Sequence, residues 1–193
     1  MDINHLIARR VRELRAERDL SLAELAERSG VSRSNISLIE RAESSPTATV
    51  LDKLSAALGV TVASLFEHTG HAPSPLARRQ EQALWTDPGS GYVRRNLSPA
   101  TWSPLQLVEV EFPPGARVAY ETGAREVDVH QQLWLVAGSM ELTVGTSHWT
   151  LNAGDCLAMR LDQPIAFHNP GPAPARYIVA LGAPSGQAPR RES

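Results

Sequence analysis

The sequence predicts an α + β chain of two domains, an N-terminal bundle of five helices followed by an all-β half. Three observations carry that prediction. As far as Phe66 the apolar residues recur at three- and four-residue intervals, the spacing of one helix face. From Trp85 onward that spacing gives way to short apolar stretches alternating with turn residues, the pattern of a β-sandwich or barrel. Between the two, GHAPSPLARR is proline-rich and aperiodic, as an exposed linker would be. The expected boundaries are 1–69 for the bundle, 70–82 for the linker, 83–183 for the β domain and 184–193 for a disordered tail.

The helices follow in order. Ile3, Leu6, Ile7, Val11 and Leu14 form the apolar face of a first helix over Ile3 to Arg18. Ser21 is placed to cap a second, with Glu24 completing a capping box and Leu22, Ala23, Leu25 and Ala26 supplying its stripe. Gly30 ends that helix, because glycine adopts the left-handed conformation of a helix C-terminus without a Cβ penalty, and Val31 turns inward behind it. Ser32 caps the third, in which Ile36 and Ile39 share one face while Arg33, Ser34, Ser37 and Leu38 fall on other sides. Pro46 opens a fourth with Val50, Leu51, Leu54, Ala57 and Leu58 inward, and Val62 to Phe66 reads as a short fifth. The strands that follow are carried by GYVRRNLSP, LQLVEVEFPPG, VHQQLWLVAGS, MELTVG, HWTLNAGD, CLAMRL, IAFHNPG and ARYIVALG.

Composition narrows the function. A net charge of −2 over 193 residues excludes a large basic footprint, so any affinity for DNA rests on where Arg9, Arg10, Arg12, Arg15, Arg33 and Arg41 are placed. The only cysteine, Cys156, rules out an internal disulfide and a cysteine zinc cluster. No apolar run approaches the length of a membrane span, and MDINHLIARR lacks the apolar core of a signal peptide, so a soluble cytoplasmic protein is expected.

The segment GVSRSNISLIERAESSPTATVLDKLSAALGVTVASLF resembles the repressor and xenobiotic-response-element class of helix-turn-helix domains. The resemblance implies a transcription regulator, in first expectation a repressor, that binds a near-palindromic operator in double-stranded DNA as a homodimer. The third helix then enters the major groove, with Arg33, Ser34, Ser37 and Leu38 at base edges. Arg33 has the fork to bond guanine bidentately, worth about 1 to 3 kcal/mol of discrimination, and Leu38 suits a thymine methyl. Asn35 and Arg41 are assigned to phosphates. The same resemblance pairs Arg15 with Glu40 as a brace between the first and third helices.

The β half resembles a single cupin domain, a small jelly-roll barrel. VHQQLWLVAGSMELTVG, around Gly138, is similar to the family's first motif, and LNAGDCLAMRLDQPIAFHN, from Gly154 to Asn169, to its second. At the family's metal-ligand positions stand Gln131, Val127 and Ile165, which makes a metal, a cofactor and enzymatic activity unexpected. Alternation puts Val127, Val129, Gln131, Leu133 and Leu135 inside the barrel and Glu126, Asp128, His130 and Gln132 outside. With Ile165 and Phe167 this leaves two readings of the interior, a small-molecule effector pocket oriented by Gln131 or a filled core serving dimerisation. A slipped register that turned His130 and His168 inward would instead make a metal site. Trp134, on the outer face, reads as a subunit contact or as ordinary packing. A metal-dependent cupin enzyme with a DNA-binding appendage and an antitoxin-like interaction module are the alternative functions.

Overall fold

The computed structural model describes residues 2–67, 74–101, 103–121 and 129–182. Four α-helices form first: α1 (Ile3–Ala16), α2 (Leu22–Ser29), α3 (Arg33–Glu40) and α4 (Ala48–Ala57). The segment expected as a fifth helix, Val62–Phe66, is a 3₁₀ helix. Five residues opening on a β-branched valine and ending at the extended Glu67 are too few for an α-helical nucleus, and a 3₁₀ turn suits that length. The first helix stops at Ala16 rather than Arg18, since Asp19 at φ 52° turns the chain away.

The local signals work as chemistry demands. The Glu24 N–H donates to Ser21 Oγ at 3.2 Å and the Ser21 N–H to Glu24 Oε2 at 2.8 Å, so two otherwise unpaired donors of α2 are satisfied reciprocally. Gly30 sits at φ 66° and Val31 is buried behind it. Ser32 accepts from the Asn35 N–H and starts α3.

Ten strands follow: β1 (Leu84–Thr86), β2 (Val93–Asn96), β3 (Leu105–Phe112), β4 (Arg117–Tyr120), β5 (His130–Ala137), β6 (Ser139–Val144), β7 (Ser147–Asn152), β8 (Cys156–Arg160), β9 (Ile165–His168) and β10 (Ala175–Gly182). They make two antiparallel sheets, six strands in the order β1-β2-β3-β10-β5-β8 and four in the order β4-β9-β6-β7. Burial alternates along β5, with Gln131, Leu133 and Leu135 inside and His130, Gln132 and Trp134 outside. Ile165 and Phe167 likewise point in from β9, while His168 faces out and meets Glu141 Oε2 at 2.9 Å. Neither His130 nor His168 therefore reaches the interior. Gly138, at φ 81°, makes the turn from β5 to β6, where an added Cβ would lie 2.9 Å from the Ala175 Cα.

The two halves pack directly on each other. Phe66 meets Trp85 at 5.8 Å between ring centroids, and Trp85 meets Tyr92 at 5.7 Å. Tyr92 stacks on Phe112 at 5.5 Å, which carries the aromatic chain from the bundle into the sandwich. Polar contacts reinforce it: Asn96 Nδ2 donates to the Ala63 carbonyl at 3.2 Å, and the Thr61 hydroxyl donates to Gln106 Oε1 at 2.7 Å. Gln106 Nε2 in turn donates to Glu67 Oε1. Residues 70–73 of the expected linker and the expected tail lie outside the described residues.

Candidate functional site

On the bundle, the candidate DNA face is α3. Ile36, Ile39 and Glu40 are buried against the other helices, which leaves Arg33, Ser34 and Leu38 exposed and Asn35 and Ser37 half-buried on the outer side. Arg41, at the C-terminal end, is exposed but engaged: its Nε and Nη2 each donate to the Glu43 carboxylate at 2.9 Å, and its Nη1 donates to Ser37 Oγ at 2.6 Å. That pairing holds the Arg41 pKa above its ordinary value and the Glu43 pKa below it. The pair is exposed to solvent, so it contributes little to stability.

The other arginines named from the sequence divide differently. Arg15 donates through Nε and Nη2 to the two oxygens of Glu40, at 2.7 and 2.9 Å, and through Nη1 to the Leu20 carbonyl at 2.8 Å. Its hydrogen bonds to Glu40 raise its pKa. Arg12 Nη2 donates to the Glu40 carbonyl at 3.1 Å, and Arg10 Nε to the Ser64 carbonyl at 3.2 Å. Arg10, Arg12 and Arg15 thus hold α1 to α3 and to the 3₁₀ helix, although Arg12 also stays exposed at the surface. Nothing in an amphipathic pattern separates a bracing arginine from a solvated one.

Where the bundle meets the interior of the β half there is a cavity of about 70 Å³. Of the positions named from the sequence, Gln131, Ile165 and Phe167 stand on its wall. Val129 and Leu133 are buried but lie off the wall, because β5 approaches the cavity only at Gln131. Val127 lies outside the described residues. Gln131 Nε2 has a weak acceptor, Met159 Sδ at 3.8 Å.

The cavity also holds residues that sequence reasoning missed. Asp52 of α4, Thr61, which caps the 3₁₀ helix, and Val62 of that helix line it from the bundle side. Tyr92, Tyr120 and Tyr177 line it from the sheets, with the Tyr92 and Tyr120 hydroxyls 3.2 Å apart. Burial pushes the phenols of Tyr120 and Tyr177 well above their ordinary value and that of Tyr92 upward, so all three remain neutral. Arg94, on β2, is 8% exposed and lies over the Phe66 ring, 5.5 Å from its centroid. The signal was available: in GYVRRNLSP a two-residue period puts Arg94 on the face of Tyr92 and Arg95 on the other. Among the described residues no group of three His, Cys, Asp or Glu side chains is placed to hold a metal ion.

A helix-turn-helix family model matches residues 11–65. Over 164 residues the chain is 29% identical to the HTH-type transcriptional regulator SutR of Escherichia coli K12, spanning 83% of this chain and 85% of the relative. It is 32% identical over 111 residues to the HTH-type transcriptional regulator SinR of Bacillus subtilis 168, covering 54% of this chain and 100% of the relative. An HTH_3 family transcriptional regulator from Vibrio cholerae superposes with a TM-score of 0.75 at 22% identity, over 95% of this chain and 98% of that one. The likeness of fold therefore extends through both halves.

Proposed function

Because the chain belongs to the HTH-type transcriptional regulators, we propose that it controls transcription as a homodimer whose cupin-like half senses a small molecule and passes its occupancy to the DNA-binding half. One observation carries the sensing: the cavity wall is shared, with Asp52, Thr61 and Val62 supplied by the bundle and Gln131, Ile165 and Phe167 by the barrel. A ligand that favours one seating of α4 on the sheets over another shifts the population of DNA-binding arrangements by its differential affinity for the two.

On the DNA side, Arg33, Ser34, Ser37 and Leu38 read base edges in the major groove, and Asn35 and Arg41 hold phosphates. The exposure of Arg33, Ser34 and Leu38 on α3 and of Arg41 at its end supports the assignment. A near-palindromic operator needs two recognition helices about 34 to 36 Å apart, or a multiple of that, and the β half sets this spacing. The outer face of the six-stranded sheet supports the dimer, since Leu105, Leu107 and Trp134 are 55%, 40% and 51% exposed there. An apolar patch of this kind is a natural contact between subunits. The working boundaries are 1–69 for DNA binding, 70–82 for the linker, 83–183 for sensing and dimerisation and 184–193 for the tail. The β half acts as a sensor and not as an enzyme, which the amide of Gln131 and the hydrocarbon of Ile165 on the cavity wall support.

The test begins with an operator selected from random duplex DNA. Operator affinity is then followed by fluorescence anisotropy, with and without a cellular small-molecule extract. Gln131→Leu should keep the operator affinity and lose the response. Loss of DNA binding in that variant would assign Gln131 a structural role, and selection of no preferred sequence would end the reading.

A further inference from the structure

We infer that the cavity between the bundle and the barrel is a binding site for a small organic acid whose carboxylate is received by Arg94. The assignment deepens the sensor reading, on which it rests, by naming the chemistry of the effector.

Arg94 carries the argument. Its side chain is more than nine-tenths buried on the cavity wall, and its Nε and Nη2 have no hydrogen-bond partner. A guanidinium is a cation with five donors in a planar fork, and burying such a group without acceptors is strongly unfavourable. The fork matches the two oxygens of a carboxylate. Nothing else described on the wall plays that part. The phenols of Tyr92, Tyr120 and Tyr177 are neutral, and the carboxylate of Asp52 makes no hydrogen bond to Arg94 Nε or Nη2. Phe66 lies against the guanidinium, which adds a cation–π contact but accepts none of the hydrogen bonds in the plane of the fork.

The rest of the cavity sets the size and character of the ligand. A volume of about 70 Å³ has room for about five waters, or an acid of a few heavy atoms. Ile165, Phe167, Val179 and Leu181 offer an apolar wall to its hydrocarbon end, and Gln131 offers an amide that Met159 Sδ satisfies only weakly. Position matters as much as affinity. Arg94 lies over Phe66 of the 3₁₀ helix, so an acid that draws the guanidinium toward itself changes a contact holding the DNA-binding half.

The experiment uses the full chain and isothermal titration calorimetry, with acetate, propionate, butyrate and pyruvate set against acetamide, propionamide and butyramide. At least one acid is expected to bind about tenfold or more tightly than the uncharged amides. Arg94→Gln should weaken that binding by about 30-fold or more, whereas Arg95→Gln, altering the adjacent arginine that pairs with Glu109, should retain it. Equal affinity for acids and amides, no binding of any acid, or full affinity in Arg94→Gln overturns the assignment. If Arg94→Gln fails to fold, the acid-against-amide comparison on the unaltered protein decides alone. Acid binding with no change in operator affinity upholds the anion site and overturns the sensor reading. A neutral compound that fills the cavity and shifts operator affinity does the reverse.

Discussion

The backbone N–H of Ala48, in the first turn of α4, donates to Asp87 Oδ1 at 2.9 Å, so the start of a DNA-binding-domain helix is satisfied by a carboxylate from the turn between β1 and β2. Asp87 is 3% exposed and also accepts from the Gly89 and Ser90 N–H groups and the Ser90 hydroxyl. Asp87→Ala leaves the buried Ala48 N–H unpaired and takes the acceptor from the more accessible Gly89 and Ser90 donors. It should destabilise the chain by about 2 to 3 kcal/mol in urea unfolding, with Asp87→Asn losing less. An unchanged midpoint in Asp87→Ala would show that the two halves do not depend on this contact.

The brace of α1 on α3 gives a second expectation. With Glu40 and Arg15 side chains 9% and 19% exposed, Glu40→Ala strands a largely buried guanidinium and should cost about 2 to 4 kcal/mol. Operator affinity should fall with it, because α3 loses its fixed orientation. Circular dichroism melts and anisotropy on the same samples separate the two effects.

Substitutions on the outer side of α3 should leave stability alone. Arg33→Ala is expected to relax base preference at one position of each half-site and to cost about 1 to 3 kcal/mol there. Arg41→Ala should weaken binding to all sequences alike and lower the salt slope by about 1 for each half-site. Silent outcomes for both would place the groove contacts elsewhere.

The half-buried carboxylate of Glu67 introduces a pH dependence. Desolvation raises its pKa in the folded state, partly opposed by Arg10 and by hydrogen bonds from Ser64 and Gln106. A carboxyl group whose folded value exceeds its unfolded one binds more protons when folded. Its contribution is complete below the unfolded value and is lost as pH rises through the folded one. Stability measured by urea should therefore decline through the weakly acidic range, and Glu67→Gln should flatten that decline. An unaltered profile in the variant would assign the decline to other groups.

Trp134→Glu tests the sheet face. Sedimentation should show a shift from dimer toward monomer, with far-UV circular dichroism unchanged. A dimer that persists would move the subunit contact away from this sheet.

Local signals in the sequence were readable because each acts within a few residues. Ser21 with Glu24, Gly30 with Val31, and the alternation through Gln131 to Leu135 all appear in the structure as their chemistry predicts. The brace between Arg15 and Glu40 was legible only through resemblance, since 25 residues separate the partners. Asp87 and Trp85 escaped notice for the same reason, as their partners in the bundle lie far away in the chain and share no period with them. Arg94 was missed because a pair of arginines in a short polar strand reads as a solvated edge until Phe66 is seen against one of them.

The run of rings from Phe66 through Trp85 and Tyr92 to Phe112 also bears on modularity. A chimera that joined residues 1–69 to an unrelated sensor would leave Phe66 without its indole neighbour and Ala48 without its carboxylate. Such grafts should succeed only when the incoming half brings a matching aromatic and acid at those places. The recombination boundary of this protein then lies in its surface chemistry, and the proline-rich stretch between the halves marks only where the chain crosses over.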